Sequence, residues 1–466
     1  MGFALTCIDQ DNIRQSAGTL AFDLIKLYKG NESGQIPGVL PGPPPEGPYF
    51  WWQGGAMMAT YIDYWRWTGD STYNRLVAQG MLHQVGENIN YMPNNHTLSL
   101  GNDDQGFWGM AALLAAENQF PDPPSDQPQW LELAQAVWAT QADPSRHDEA
   151  CNGGLRWQIP FANTGYDYKN TISNGIFFNM GARLARYTGN DTYAQRAEDS
   201  WNWIWGVKYI DHETWSVYDG SHVQNNCTVL VKTTYSYNAA ILAQGAAYMY
   251  NYVSFVDVRS KYSQANQNRN CSQTNGEERW KSRLDSLLDN IFKTFFHKGA
   301  AFEVACEQDN GQGTCNRDMN MYKGFLHRWL AVTSQVAPYT QDKILPMLRK
   351  SAETAVKQCT GGESGRQCGL YWTFGRYVDP AVAGTSGAGE VMNVLAAVSA
   401  LLVNEAKVPV TNTTGGTSKG NPNAGGKDNG ERPLKPITAA DKAGAAIITI
   451  ILLAAISGLF IWMTVF

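Results

Sequence analysis

The chain has 466 residues, of which 43% are hydrophobic and only 17% are charged, so it can form one large core or two ordinary domains. Its formal net charge is −6 and it has no stretch rich in Lys or Arg, which argues against nucleic acid as a partner. Aromatic residues reach 12%, and their side chains can either fill a core or stack on the flat apolar faces of sugars.

The N-terminal segment, residues 1–11, begins MGFALTC, which is shorter than a signal peptide. We interpret it either as the remnant of one or as the result of a mis-set start codon. Asn-X-Ser/Thr sequons still indicate the secretory route; they begin at Asn31, Asn95, Asn190, Asn226, Asn270 and Asn412. The eight Cys then favour disulfides, because neither a CxxC pair nor a Cys/His cluster occurs, and we expect no metal and no cofactor. The pairs that we expect are Cys306–Cys315, Cys359–Cys368 and Cys151–Cys227.

Residues 12–405 show a repeated helical unit and almost no alternating strand pattern. YWRWTGDSTY at 64–73 is echoed by LARYTGNDTY at 184–193; each is a helix end, a Gly stop, a polar N-cap and a new helix. Long amphipathic segments begin near Ser16, Ser71, Trp130, Asp191, Glu277 and Thr340. More apolar, Gly- and Ala-rich segments follow them, beginning near Trp51, Asp103, Thr171, Tyr235, Asn320 and Gly384. The pattern predicts an all-α (α/α)6 toroid, in which the N-termini of parallel inner helices meet at one face.

The stretch GNDDQGFW, residues 101–108, places two carboxylates, Asp103 and Asp104, where an inner helix begins. One explanation is helix capping, for which Asp and Asn are favoured. The other is catalysis, because amides, hydroxyls and indoles at the other inner-helix starts would converge with the pair on one concave site. The binding candidates are Trp52, Trp108, Trp157, Asn170, Asn174 and Tyr235. For the three Trp the alternative is core packing, and for the other three it is helix capping.

Four stretches, GNDDQGFWGMAALLAAE, LRWQIPFANTGYDYKNTISNG, RLARYTGNDTY and TTYSYNAA, resemble the family 76 glycoside hydrolases, above all their fungal GPI-anchored cell-wall endo-α-1,6-mannanases. The resemblance extends from about residue 12 to about residue 402. It implies an (α/α)6 barrel, a retaining mechanism on α-1,6-linked mannose, Asp103 as nucleophile and Asp104 as acid/base. For the fungal branch it also implies transfer: the enzyme would cut the mannose core of a GPI anchor and pass the glycoprotein to wall β-glucan. The alternatives are a plain endo-α-1,6-mannan hydrolase, an inverting glycosidase and an inactive, wall-anchored mannan-binding protein.

The chemistry of the pair agrees with that assignment. Retaining glycosidases need two carboxyl groups about 5–5.5 Å apart, one ionised and one protonated. Adjacent helical residues point about 100° apart, so the two can flank one bond. We expect the helix N-terminus to hold Asp103 ionised, and the repulsion between the two carboxylates to keep the other protonated. An acceptor would be held by an aromatic rim, for which the candidates are Trp51, Trp157, Tyr166, Tyr168 and Trp372.

The C-terminal sequence predicts a membrane attachment. Residues 443–466 are uncharged and hydrophobic, a polar spacer precedes them, and small residues near Asn423 offer a candidate ω-site, which together form the pattern of a GPI signal whose tail is removed. A retained single-span anchor is the alternative. Residues 406–442, rich in Gly, Asn, Thr and Pro, are expected to be a flexible tether that contributes nothing to the barrel. We expect a protein of the cell surface, with a GPI-core glycan donor and a glucan acceptor.

Overall fold

The computed structural model describes residues 9–262, 270–380, 387–425, 442, 446–455 and 457. It divides into a body, Met1–Gly425, and a C-terminal unit, Gly426–Phe466, described chiefly as an apolar helix at Ala446–Ala455. The rest of the predicted hydrophobic tail, and nearly all of the predicted tether beyond residue 425, lie outside the described residues. Within the described part, Ala388–Glu405 is the one helical stretch long and apolar enough to cross a membrane, and 83% of it is buried in the protein; Ala446–Ala455 is apolar but shorter.

The body is an (α/α)6 barrel, which confirms the predicted fold class. The outer helices are α1 Gln10–Ile25, α3 Asn74–His83, α5 Trp130–Ala142, α7 Asp191–Gly206, α9 Asn270–Phe295 and α11 Gln341–Ala355. The inner helices are α2 Trp51–Thr68, α4 Asn102–Glu117, α6 Thr171–Thr188, α8 Ser236–Tyr262, α10 Tyr322–Val336 and α12 Ala388–Ser399. Helices α2, α5, α6 and α7 begin at the predicted residues. Helix α1 begins at Gln10 rather than near Ser16, because the Asp9 side chain accepts the Asn12 N–H and caps it.

Small residues bring the inner helices close to their neighbours. A Cβ atom at Gly106 of α4 would lie 2.5 Å from Cγ2 of Ile176 in α6, and one at Gly109 would lie 2.7 Å from Cγ1 of Val137 in α5. Either contact would force the helices apart, because buried atoms are already close-packed. The Gly- and Ala-rich composition of the inner segments is therefore a packing requirement.

Short antiparallel sheets and disulfides fix the loops. The strands are β1 Tyr168–Asn170, β2 Gly220–His222, β3 Leu230–Val231, β4 Phe296–His297, β5 Ala300–Ala301, β6 Cys359–Gly361 and β7 Gln367–Cys368. They pair in the orders β1-β2-β3, β4-β5 and β6-β7, and in the first sheet Tyr168 lies opposite His222. The three predicted disulfides, Cys151–Cys227, Cys306–Cys315 and Cys359–Cys368, are all present.

The predicted tether is wrong for its first half, because residues 408–425 form a strap packed on the barrel. The Val410 N–H donates to the carbonyl of Glu117 at the end of α4 (2.8 Å). The Ser418 hydroxyl accepts the Leu131 N–H at the start of α5 (3.0 Å). Both bonds satisfy polar groups that a helix terminus leaves without intrahelical partners. Glycine, which suggested flexibility, instead permits contact: a Cβ at Gly425 would lie 2.3 Å from the Ala136 carbonyl oxygen.

The strap provides a stability test at Ala424, which is 1% exposed. In protein that ends at residue 442 and so keeps the strap, Ala424→Asp should lower the melting temperature by about 2–5 °C, because it buries a charge without a partner. It should also make residues 408–425 sensitive to limited proteolysis. Asn423→Asp adds the same charge at an exposed neighbouring position and serves as the control. Identical melting curves and cleavage patterns for the two variants would contradict the packing of the strap.

Candidate active site

The two predicted carboxylates are the second and third residues of α4, at the N-terminal face of the inner ring. The Asp104 Oδ2 atom accepts the backbone N–H of Gly101 (2.7 Å), which is the reach-back half of a capping box. The Asp103 Oδ1 atom accepts the N–H of Asp104 (3.1 Å). Only glycine fits at position 101, since a Cβ there would lie 2.3 Å from Asp103 Oδ1. Asp104 therefore caps the helix, and both carboxyl groups lie close to Gly101, which has no side chain.

Burial dominates the electrostatics of the pair, although both side chains remain partly open to the cleft. It raises the pKa of Asp103 well above its usual range, and the adjacent charge of Asp104 adds to the rise. Burial also raises the pKa of Asp104, to about 7, and the charge of Asp318 contributes. The expectation that the helix N-terminus would hold Asp103 ionised is therefore wrong for the unliganded protein, because burial outweighs the helix dipole. Since each carboxylate disfavours ionisation of the other, the pair retains a proton near neutral pH.

Asp104 lies where two arms of one cleft meet, and Asp103 lines one of them. The polar arm has a cavity volume of about 180 Å³ and is lined by Asp103, Tyr168, Asn170, Asp219, Tyr235 and Tyr237, among others. The apolar arm, of about 400 Å³, is lined by Pro43, Phe50, Trp51, His96 and Leu100, among others. Both arms share Trp52, Asp104, Trp157 and Asp318 as walls. Neither arm is lined by a Lys or Arg among the described residues. A cleft of this chemistry suits a neutral or cationic sugar chain that extends to both sides of Asp104.

Four of the six predicted binding residues line the cleft. Trp52, the second residue of α2, packs on Phe107 with ring centroids 4.7 Å apart. Trp157 is 36% exposed, which makes it the most accessible indole of the two arms. Asn170 caps α6 by accepting the Ser173 N–H (3.2 Å); it also lines the polar arm, so its binding role stays a prediction. Tyr235 also faces the polar arm.

The other two predicted binding residues lie outside the cleft. Trp108 is completely buried, with its ring 5.3 Å from that of Trp51 and 5.5 Å from that of Tyr91, so it is a core residue. Asn174 lies one helical turn below Asn170, where its side chain bonds both the N–H (2.7 Å) and the carbonyl (3.0 Å) of Leu155. Its role is to hold the loop that precedes Trp157.

The aromatic rim is also corrected in part. Trp51, Trp157 and Tyr168 line the arms, as expected. Trp372 is 1% exposed and packs against the His327 ring, so it belongs to the core. Tyr166 lies under the Arg156 guanidinium, 4.4 Å from the ring centroid, and lines neither arm.

The structure adds cleft residues that sequence reasoning missed, above all Asp219, Tyr237 and Asp318. Asp219 accepts a hydrogen bond from the Tyr168 hydroxyl (2.8 Å), and Tyr237 stacks on Tyr322 with centroids 3.8 Å apart. Asp318 could have been found, because it stands beside a predicted inner-helix start. Asp219 follows no helical period, and only the pairing of β1 with β2 brings its segment to the cleft.

The sequence matches glycosyl hydrolase family 76 over residues 12–266 and 271–413, which is nearly the whole body. The chain belongs to this family. No group of three or more His, Cys, Asp or Glu among the described residues has the arrangement of a metal site. The family assignment agrees with a paired-carboxylate site in an (α/α)6 barrel.

Individual relatives cover almost the full length. The mannan endo-1,6-α-mannosidase DCW1 of Eremothecium gossypii is 39% identical over 462 residues, covering 98% of this chain and 94% of the relative. The crystal structure of Dfg5 from Chaetomium thermophilum in complex with glucosamine is 56% identical, with a TM-score of 0.85 over 91% of this chain and 98% of that one. An inactive variant of the α-1,6-mannanase GH76A of Salegentibacter sp. HEL1_6, in complex with α-1,6-mannotriose, shares the fold at 16% identity (TM-score 0.61, 84% of this chain and 99% of that one).

The raised pKa of Asp104 predicts a pH-dependent stability cost. Because its folded pKa of about 7 lies above the unfolded value of about 3.9, the native state binds more protons between these limits, and the free energy of unfolding falls as pH rises through this window. Asp104→Asn removes the titration, so its melting temperature should exceed that of wild type by about 2–4 °C at pH 7.5 and by less at pH 4.5. The exposed Asp126→Asn is the control. A difference that does not change with pH would contradict the assignment.

Proposed function

We propose that this protein is a retaining α-1,6-mannanase with transglycosylase activity, which acts on α-mannosides at the fungal cell surface. The observation that carries the proposal is the Asp103–Asp104 pair at the junction of two cleft arms. The names of the close relatives support the α-1,6-mannoside as the donor linkage.

In the proposed mechanism, a carboxylate oxygen of Asp103 attacks the anomeric carbon while Asp104 gives its proton to the glycosidic oxygen. The bond from the anomeric carbon to that oxygen breaks, and a mannosyl ester with Asp103 forms. Asp104, now ionised, then takes a proton from water or from a sugar hydroxyl, whose oxygen attacks the anomeric carbon and releases Asp103. Because the pKa values of both carboxyl groups are raised, the pair retains a proton near neutral pH, and the scheme requires that bound substrate leave this proton on Asp104 and Asp103 ionised.

Transfer, rather than hydrolysis alone, is supported by the apolar arm. Trp51, Phe50 and Trp157 offer apolar surface on which an acceptor sugar can stack and displace water. The donor that we propose is the mannose core of a GPI anchor, and the acceptor is wall glucan. The Chaetomium relative binds glucosamine, a sugar that GPI cores contain. A cleft with acidic walls, and without Lys or Arg among its described lining residues, suits the ammonium group of that sugar.

The assay that tests this function uses an α-1,6-mannan oligosaccharide and a GPI-core mannoside, each with and without β-1,3- or β-1,6-glucan oligosaccharides. We expect the α anomer as the first product and a mixed mannosyl–glucan product that exceeds free sugar when an acceptor is present. Asp104→Asn should lower turnover at least about a thousandfold while binding stays measurable, because the proton donor is lost and the pocket is kept. NMR and mass spectrometry read the products.

Each alternative has its own outcome in the same assay. Free mannosides at equal rates in both tubes would identify a plain hydrolase. A β anomer as first product would identify an inverting enzyme. Binding without release or transfer in either wild type or Asp104→Asn would identify a mannan-binding protein.

We also propose that the protein is held at the cell surface by a GPI anchor, as the small residues, spacer and hydrophobic tail of the C-terminal sequence suggest. Phosphatidylinositol-specific phospholipase C should release it from membranes, since the lipid would be its only attachment. Deletion of residues 443–466 is the matched control and should yield secreted protein without lipid. A full-length protein that only detergent releases, with the tail still present on peptide mapping, would show a retained span instead.

A further inference from the structure

Asp318 lies at the junction of the two cleft arms, on the loop between the Cys306–Cys315 disulfide and α10. It shares this junction with Asp104, Trp52 and Trp157, so a sugar chain that passes from one arm to the other must pass it. It lies in the active site but not on the helix that carries the catalytic pair.

The loop holds Asp318 in place from two sides. The Asn316 Oδ1 atom, directly after the disulfide, accepts the backbone N–H groups of Asp318 and Met319 (3.0 Å each). The Trp52 indole lies beside the Asp318 carboxyl group, where it opposes the rise in the pKa of Asp318. A carboxylate held in this way is pre-organised, so little conformational entropy is lost when a ligand binds to it.

One oxygen of the Asp318 carboxyl group accepts no hydrogen bond. The Asp318 Oδ1 atom is buried and has no hydrogen-bond partner in the protein. A buried acceptor without a donor is unfavourable, and more so when it carries charge. Asp318 lines both arms, so rotation of its carboxyl group about the Cβ–Cγ bond brings this oxygen to the cavity, where a ligand hydroxyl can supply the missing donor.

We propose that Asp318 is a substrate-binding carboxylate, whose Oδ1 atom accepts a hydrogen bond from a hydroxyl of the sugar that lies beside Asp104 at the junction of the two arms. This inference rests on the proposed function for the identity of the sugar, an α-mannoside. Its second consequence is electrostatic. While ionised, Asp318 disfavours the ionised form of Asp104 and so helps to keep the proton donor protonated.

The charged and titratable groups around Asp318 support that consequence. They are Asp103 and Asp104 on α4, Asp219 beside β2, Tyr237 on α8, Tyr322 on α10, His96 on the apolar arm and Arg317 on the same loop. Burial raises the pKa of Asp318 to about 6, against the opposing effect of Arg317. Asp318 is therefore ionised above about pH 6, in the range where the pKa of Asp104 lies.

The test measures binding apart from catalysis. In an Asp104→Asn background, calorimetry with α-1,6-mannotriose should show a Kd that rises about tenfold to a hundredfold when Asp318→Asn is added, as expected for loss of a hydrogen bond to a charged group. In the active background, Asp318→Asn should also move the alkaline limb of kcat/KM towards lower pH. Asp318→Glu keeps the charge but displaces the oxygen, so it should weaken binding and leave that limb in place.

Asp309→Asn is the matched control, because Asp309 is an exposed carboxylate in the neighbouring loop that the Cys306–Cys315 disulfide closes. It should change neither Kd nor the pH profile. Melting temperatures identify any variant that fails to fold, and the Glu variant then carries the binding test. An unchanged Kd in folded Asp318 variants overturns the inference.

The design also separates this inference from the proposed function. If mannotriose binding depends on Asp318 but the protein turns over no mannoside, the proposed function is wrong and the inference about Asp318 is supported. If the protein turns over mannosides but binding does not depend on Asp318, the proposed function is supported and the inference about Asp318 is wrong. Absence of mannotriose binding in both the parent and the Asp318 variant overturns both.

Discussion

The structure depends on one geometric constraint: the six inner helices all begin at the same face of the barrel. Each helix start leaves backbone N–H groups without intrahelical partners and carries the positive end of a helix dipole. The face is therefore suited to acceptor side chains before any of them has a catalytic role. Asp104 uses one such N–H, at Gly101, and Asn170 uses another, at Ser173. The roles that we propose for Asp104 and Asn170 therefore rely on the same property of the helix end as the capping that both residues provide.

The same constraint also makes ionised carboxyl groups at this face energetically unfavourable. Close approach of the helices, permitted by residues such as Gly106 and Gly109, leaves little room for water between them. For the carboxyl groups at this face, the solvation free energy lost on burial is larger than the stabilisation that the helix dipoles give. Burial therefore raises the pKa of Asp103, Asp104 and Asp318. Deeper inside the barrel, charge is instead neutralised by pairing. Glu117 is bound to Arg183 (2.7 Å) and Asp63 to Arg328 (2.6 Å), all four buried. By contrast, Asp103, Asp104 and Asp318 form no salt bridge with another described residue, as expected if this is the site of proton transfer that we propose.

Amino-acid composition gave a wrong prediction for the segment that follows the last inner helix. Residues 406–442 have the Gly, Asn, Thr and Pro content of a linker, and such content predicts flexibility when nothing lies nearby. Up to residue 425, the helix termini and outer helices of the barrel do lie nearby. Ser418 completes a hydrogen bond at the start of α5, and Gly425 lets the backbone approach Ala136. Low hydrophobicity therefore did not prevent packing, since backbone and hydroxyl groups supplied the contacts.

The sequence alone determined the features that repeat or that a local motif specifies. The alternation of amphipathic and Gly/Ala-rich segments determined the (α/α)6 ring, because helical period and small-residue content are local properties. The motif GNDDQGFW located the carboxylate pair, and Cys spacing gave the disulfides. Tertiary structure alone decided which way each side chain points. Trp52 and Trp108 have the same chemistry and both lie near inner-helix starts, yet one lines the cleft and the other packs on Trp51, because the rotation of each helix about its axis is set by its neighbours. Asp219 reaches the cleft through the pairing of β1 with β2, a contact between segments distant in sequence that no local pattern encodes.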